Sequence, residues 1–323
     1  MTIEKPILRK SLTTPSAGTG VKRPAISPRP ASAPAAALRS PAATNFAASP
    51  EREFAFSAAD FERVRGLLYK HAGISLSPVK QDMVYSRLAR RLRARGDRTF
   101  SDYLDRAERE PDEWETFINS LTTNLTSFFR EAHHFDILAE RLKKHTSRNP
   151  LRIWCSAAST GEEPYSLAIT ACEAFNTMTP PVQIVATDID TNVLATAHKG
   201  VYGMDRVDRL SRERMQRFFQ KGTGAQAGFA RVRPELQRLI EFKRINLLDN
   251  AWALQGPFDV MFCRNVMIYF DKPTQYAILK RFVPLLKKDG LLFAGHSESF
   301  LHAADLFRSL GRTVYERTDA RDR

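Results

Sequence analysis

The sequence predicts an α/β domain with a largely parallel sheet covered on both faces, preceded by a small all-helical domain. Three observations carry this expectation. After Pro150, β-prone runs such as "LRIWCSA", "VQIVATDID" and "PFDVMFCRN" alternate with amphipathic segments, the signature of a sheet wrapped by helices. Between residues 57 and 121 the apolar residues recur at helical spacing. Residues 1–50 lack either pattern: they hold eight of the 18 prolines and a single aromatic, Phe46.

The first 50 residues cannot bury enough apolar surface to offset the entropy of ordering them. They read as a disordered tail, basic by seven Lys/Arg against one acid. Order is expected to begin at Ser57, which with Asp60 forms a capping-box pattern with Asp in place of Glu. Phe61, Val64 and Leu68 continue that helix, and Gly73 offers a stop. A second helix is expected over 78–95, on the apolar row Val84, Leu88 and Leu92, with others over 100–110 and 113–121. The helical domain is thus assigned to residues 51–122.

The α/β domain is assigned to 123–323. A strand at "LRIWCSA" leads into a helix over 163–175. "VQIVATDID" forms a second strand ending at Asp188, with a helix from Thr191. "RLIEFKRINL" and "PFDVMFCRN" give the third and fourth strands, 273–287 a helix, "DGLLFAGHSES" a fifth strand and "GRTVYERT" a last one. One piece breaks the alternation. After a helical stretch over 212–220, "KGTGAQAGFARVRPEL" reads as a small glycine-containing hairpin, so a β-subdomain is expected within 221–243. Ligands of such sheets bind at the carboxyl ends of the strands.

Composition narrows the function. Charged residues make up 26% of the chain and hydrophobic ones 43%, values of a soluble globular protein. No apolar run approaches the roughly 20 residues of a membrane span, and no apolar signal core opens the chain, so a cytoplasmic protein without membrane insertion is expected. Cys155, Cys172 and Cys263 are widely separated and lack metal-ligand spacing, which favours buried thiols over a metal site. The net charge is 49 − 36 = +13. It admits nucleic acid, an anionic membrane or acidic protein segments as partners.

The turn "SAASTGEEP" after the first strand keeps only Gly161. A dinucleotide turn needs G-x-G-x-x-G to let its backbone approach a pyrophosphate, and neither that triplet nor a P-loop is present. S-adenosylmethionine has no phosphate, and a turn of small residues gives its methionine end room. Glu162 and Glu163 suit the start of the following helix. Asp188, one βαβ step later, suits ribose hydroxyls, while Asp190 suits a helix cap. The His133–His134 pair reads as packing, because adjacent residues on a helix do not face each other.

Together, "TTNLTSFFREAHHF" (122–135), "CSAASTGEEPYSLAI" (155–169), "ATDID" (186–190), "INLLD" (245–249) and "FCRNVMIYFDKPTQ" (262–275) resemble the chemotaxis receptor methyltransferases, the CheR family. The resemblance implies a Rossmann-like methyltransferase domain. It also implies a protein-glutamate O-methyltransferase that draws its methyl from S-adenosylmethionine. By the same resemblance, Asn124, Thr126, Arg130, Glu163, Asp188, Asn246, Leu247, Arg264 and Asn265 bind the cofactor, and Tyr269 and Arg130 stand at the reacting centre. Implied partners are methyl-accepting chemotaxis receptors, with glutamate-rich coiled-coil helices. Arg87, Arg90 and Arg93 form an i, i+3, i+6 row suited to such a helix. Gly222, Gly224 and Gly228 match a β-subdomain that in some members captures a receptor C-terminal peptide by strand addition.

This chemistry asks little of the protein. The acceptor carboxylate is ionised near neutrality, its reference pKa being about 4.3, so no general base is required. The lack of a nucleophile–base dyad agrees with methyl transfer and opposes a hydrolase. Which carboxylate Arg130 and Arg264 each grip, the cofactor's or the substrate's, stays open on the sequence. Two other classes compete: a catalytically degenerate receptor scaffold, opposed by the intact cofactor positions, and a nucleic-acid methyltransferase, opposed by the missing Asp/Asn-Pro-Pro-Tyr/Phe motif.

Overall fold

A computed structural model describes residues 52–147 and 149–321; the predicted basic tail lies outside them. The helical part comprises α1 (Ala58–Ala72), α2 (Gln81–Arg95), α3 (Phe100–Arg109) and α4 (Pro111–Leu121). The capping box of α1 is formed, with the Ser57 hydroxyl accepting from the Asp60 N–H and the Asp60 carboxylate accepting from the Ser57 N–H. Phe61, Val64, Leu68, Val84, Leu88 and Leu92 turn inward onto Phe100, Tyr103 and Phe117. Residues 78–80 form a 3-10 turn rather than the first turn of α2. Helix α4 begins two residues earlier than expected, at Pro111, whose missing N–H costs nothing in a first turn. Glu113 in α4 is buried, accepting from Arg91 and from the Tyr103 hydroxyl.

Helix α5 (His133–Lys143) leads into β1 (Leu151–Cys155), α6 (Glu162–Ala174), β2 (Val182–Asp188) and α7 (Thr191–Lys199). A small excursion follows: β3 (Val201–Gly203), α8 (Met204–Val207), α9 (Arg212–Phe218), β4 (Phe219–Lys221), β5 (Phe229–Val232) and α10 (Pro234–Gln237). The chain closes with β6 (Ile240–Arg244), β7 (Phe258–Cys263), α11 (Lys272–Phe282), β8 (Leu286–Ala294), β9 (Phe307–Gly311) and β10 (Val314–Arg317).

The main sheet has seven strands in the order β6-β2-β1-β7-β8-β10-β9. The five from β6 to β8 run parallel, and β10 and β9 add on antiparallel. Trp154 packs on one face with Phe258, Phe282 and Trp252, while Ile153 and Cys155 pack on the other with Leu167 and Phe262. This alternation buries β1 on both sides, as a central parallel strand requires. Because β2 and β6 lie on one side of β1 and β7 and β8 on the other, the strand order reverses between β1 and β7. A crevice opens there at the carboxyl ends.

Three expectations need correction. The inserted β-unit is a separate sheet of order β3-β5-β4 that begins at Val201. Residues 240–243 belong instead to β6, because their apolar residues pair with β2 in the main sheet. Helix α11 stops at Phe282 and does not reach 287, since Pro284 has no N–H to continue the ladder. Strand β9 was not expected at all. It is a hairpin partner of β10 with an exposed face, and Leu310 is half exposed.

Candidate active site

The loops at the carboxyl ends of β1, β2, β6 and β7 surround a cavity of about 360 Å³, within the usual ~300–1,000 Å³ of small-molecule sites. Asn124, Thr126, Arg130, Glu163, Asp188, Asn246, Leu247, Arg264, Asn265 and Tyr269 all line it. Ile74 and Leu76 of the connection after α1, with Met83 of α2, supply an apolar wall. Arg87, Arg90, Arg93, Gly222 and Gly228 do not line it.

Asp188 ends β2 and accepts the backbone N–H groups of Ser159 (2.8 Å) and Asp190 (3.0 Å). Burial pushes its pKa up to about 6, although these N–H groups pull it down. Asp190 caps α7 by accepting from the N–H groups of Asn192 and Val193. Its other oxygen holds the crossing segment through the Thr122 hydroxyl (2.7 Å) and the Asn124 amide (2.9 Å).

Arg264 is buried, with 4% of its surface exposed. It donates to Glu163 at 2.6 Å and to the Arg130 carbonyl at 2.6 Å, and lies 3.2 Å from Glu131. Its charge is therefore committed to two protein carboxylates. Arg130 donates only to the Leu125 carbonyl among the described residues, which leaves most of its guanidinium for a ligand. Burial raises the pKa of Glu163 against the pull of Arg264. Burial also acts to raise that of Glu131, but Arg264 and His296 overcome it and hold the group at about 2.

Asn246 reaches across to the helical half, donating to the His71 carbonyl at 2.7 Å, and caps the Leu248 N–H. Tyr269 sits on a 3-10 turn, its carbonyl accepting from the Ser75 N–H at 2.9 Å. Burial raises its phenol pKa, opposed by Thr123 and the nearby Arg130. Four non-glycine residues around the site have left-handed backbones: Phe129, Glu131, Ser159 and Asn265, with φ between 47° and 59°. Such clustering marks functional sites.

Gly161 does not line the cavity. A Cβ there would come within 2.6 Å of the Tyr202 hydroxyl and 2.9 Å of Ala197, so packing against α7 and the small sheet demands the glycine. Tyr202 also donates to the Thr160 carbonyl at 2.8 Å, bracing the turn after β1. Glu162 is fully buried and pairs with Arg206 and Thr160, leaving Glu163 as the turn's cavity acid.

The arginine row is not a uniform free face. Arg87 is half-buried and donates to the carbonyls of Ser120 (3.3 Å) and Thr122 (2.7 Å), ending α4. Arg93 pairs with Glu53, and only Arg90 of the three is exposed and unpaired among the described residues. Gly222 and Gly228 flank the β4–β5 turn. The first packs where a Cβ would strike the Gln226 carbonyl, and the second has φ +92°. His134 is buried against Phe293, within hydrogen-bond distance of the Arg312 carbonyl, and burial lowers its pKa to about 4. Among the described residues no acid, histidine and cysteine cluster is arranged to hold a metal, and no helix is long and apolar enough to cross a membrane.

Comparison with known proteins gives the family. A profile for the all-alpha domain of CheR methyltransferases matches residues 59–122, and one for their SAM binding domain matches 124–316. The chain belongs to the CheR methyltransferase family. Chemotaxis protein methyltransferase 2 of Pseudomonas aeruginosa is 54% identical over 265 residues, covering 82% of this chain and 95% of the relative. The chemotaxis protein methyltransferase of Salmonella typhimurium is 52% identical over 266 residues, with 82% and 92% covered. That of Borreliella burgdorferi is 35% identical over 251 residues, with 74% and 88% covered.

As a CheR methyltransferase the chain uses S-adenosylmethionine, and the cavity fits it. The cavity combines a half-buried carboxylate at the end of β2, a small-residue turn at the end of β1, and an apolar wall. Glu131, Glu298 and Gln275 were missed by the sequence reading, although each holds the site together. Glu298 carried one usable signal: it follows the carboxyl end of a sheet strand, where ligand-facing loops lie.

Proposed function

We infer that this CheR methyltransferase transfers methyl groups from S-adenosylmethionine to glutamate side chains of methyl-accepting chemotaxis receptors, giving glutamate methyl esters and S-adenosylhomocysteine. The observation that carries the reading is a strand-end cavity lined by two cations without a carboxylate partner among the described residues, Arg130 and Lys80, and bordered by exposed Leu125 and Ile268. A glutamate on an amphipathic helix matches that lining in both charge and apolar content.

When bound, S-adenosylmethionine supplies a methyl on a sulfonium, and the C–S electron pair leaves with sulfur as the carboxylate oxygen takes the methyl. The chain's own task is alignment and exclusion of water. Asp188 accepts the ribose hydroxyls, Leu247 and Asn246 border the adenine, and Asn124 and Thr126 close the crossing segment over the site. Arg130 orients the acceptor carboxylate, and Tyr269 packs beside the reacting atoms. Orientation of this kind contributes on the order of 7–11 kcal/mol in favourable cases. Arg264 serves differently: it neutralises Glu163 and Glu131 and so fixes the floor.

The receptor helix meets Arg90 and the mouth rather than a continuous arginine row. A receptor C-terminal peptide would add to the edge of β4 beside Gly222, with Gly228 shaping the turn. Nucleic acid is disfavoured, because Arg91, Arg93 and Arg95 of α2 are paired with acids. Labelled methyl donor offered with a receptor cytoplasmic fragment or with nucleic acid tests the reading. Base-labile label on receptor glutamates is expected; label on nucleic acid alone would overturn it.

A further inference from the structure

The loop that follows β7 carries Arg264, Asn265 and Tyr269, yet it has little regular structure. Its ordering comes from outside. Glu298, beyond the end of β8, is buried with 5% exposure. Its Oε2 accepts the N–H groups of Asn265 (2.9 Å) and Gly295 (2.5 Å), and its Oε1 accepts that of Met267 (2.8 Å). The same loop offers its carbonyls to other groups. Gln275, also buried, donates to the carbonyls of Met267 (2.8 Å) and Phe270 (2.9 Å), and Ser75 donates to that of Tyr269.

Among the described residues Glu298 forms no ion pair. Backbone N–H groups alone stabilise its charge, against a burial that raises its pKa. A buried carboxylate without a cation is costly unless its hydrogen bonds do specific work. The work visible here is local. Asn265 is held at φ +59°, a conformation unfavourable for a residue with a Cβ. The turn that presents Tyr269 is fixed two residues later.

We propose that Glu298 is a positioning residue for methyl transfer: by gathering the N–H groups of Asn265, Met267 and Gly295 it sets Asn265 against the cofactor and Tyr269 against the reacting centre. It touches neither ligand. Glutamate is required because one oxygen takes two N–H groups while the other takes a third. In a glutamine the amide NH₂ would face at least one N–H donor.

Glu298→Gln, nearly isosteric, is the test in the full chain. The proposal rests on methyl transfer to receptor glutamates, so the wild type is assayed first with a receptor fragment. An inactive wild type would sink that function, whereas an active wild type leaves Glu298 to be judged by its variant. At a temperature well below its melting point, Glu298→Gln is expected to lose about tenfold to a hundredfold in kcat. The receptor KM should change by less than about threefold, the pattern of a lost transition-state arrangement. Amide hydrogen exchange at residues 265–268 should quicken while β1 and β2 keep their protection. A lowered melting point with an unchanged kcat reduces Glu298 to a structural group and overturns the proposal. Unchanged exchange in the loop overturns it as well. Should Glu298→Gln fail to fold, Glu298→Asp, which keeps the charge but retracts it, is judged by the same two readouts.

Discussion

The two halves that meet at the cavity contribute unequal shares of polar and apolar groups. From the α/β half come Glu163, Asp188, Arg264 and Asn265, polar groups at strand ends whose partners are already in place. From the helical half come Ile74, Leu76, Met83 and Leu121, apolar side chains with Lys80 at their edge. The sheet can hold charges rigidly because its strand ends are fixed by ladders on both sides. The helices are better suited to cover those charges and keep water away. The buried ionic groups thus lie on one half, whereas apolar cover comes from both.

The largest effect that tests this division is expected at Arg264. Arg264→Met leaves the largely, not fully, buried Glu163 and Glu131 without their shared cation. Breaking a buried pair in this way costs about 3–5 kcal/mol. Urea unfolding should report that loss together with loss of cofactor binding. A stable variant that still binds would mean the polar floor is not organised around this residue.

Asp188 sharpens the comparison through pH. Asp188→Asn should weaken cofactor binding by about 1–3 kcal/mol. In the wild type, affinity should fall as pH drops through about 6, where the carboxylate takes up a proton and loses acceptor capacity. Stability moves the other way. The folded pKa lies above the unfolded value near 3.9, so this group's contribution to stability improves as pH falls from about 6 toward 4. Titration calorimetry on both proteins across about pH 5–8 reads the binding trend, and urea unfolding over the same range reads the stability trend. A flat profile in the wild type would remove Asp188 from ribose recognition.

The smallest effects belong to the helical face. Arg90→Ala should leave stability nearly unchanged and raise the receptor KM only slightly, since exposed ion pairs contribute about 0–1 kcal/mol. Arg87→Ala should do the reverse, lowering the melting point through lost bonds to the carbonyls of Ser120 and Thr122. If Arg87→Ala instead impairs only receptor methylation, Arg87 belongs to the docking surface after all.

These contrasts also explain what could be read from the chain. That the site would lie at the carboxyl ends was legible, because the alternation of β-prone and amphipathic runs implies a largely parallel sheet; the strand order that opens the crevice was not. The cap role of Asp190 followed from its position before α7. The pairing of Arg264 was not legible, because Glu163 lies 101 residues away and nothing local marks the contact. The carbonyl contacts of Arg87 were not legible for a related reason. Helical spacing gives the side of a helix, but not whether a long side chain bends back to a carbonyl. Gly161 looked like ligand space and proved to be packing space. The start of the small sheet was not legible because β3 has only three residues, Val201–Gly203, and only its pairing with β5 shows that it belongs there.

Asp190 carries one more consequence. A single carboxylate caps α7 and also holds Thr122 and Asn124 of the segment arriving from the helices. Asn119 and Glu115 of α4 bond Thr191 beside it, and Asn246 reaches back to His71. Detaching the helices would therefore strip the capping residue of its other partners, and fraying α7 would loosen the anchor of the helices. The shared carboxylate couples the stabilities of the two parts. Heat should melt them in a single transition, and damage on either side should be felt by the whole.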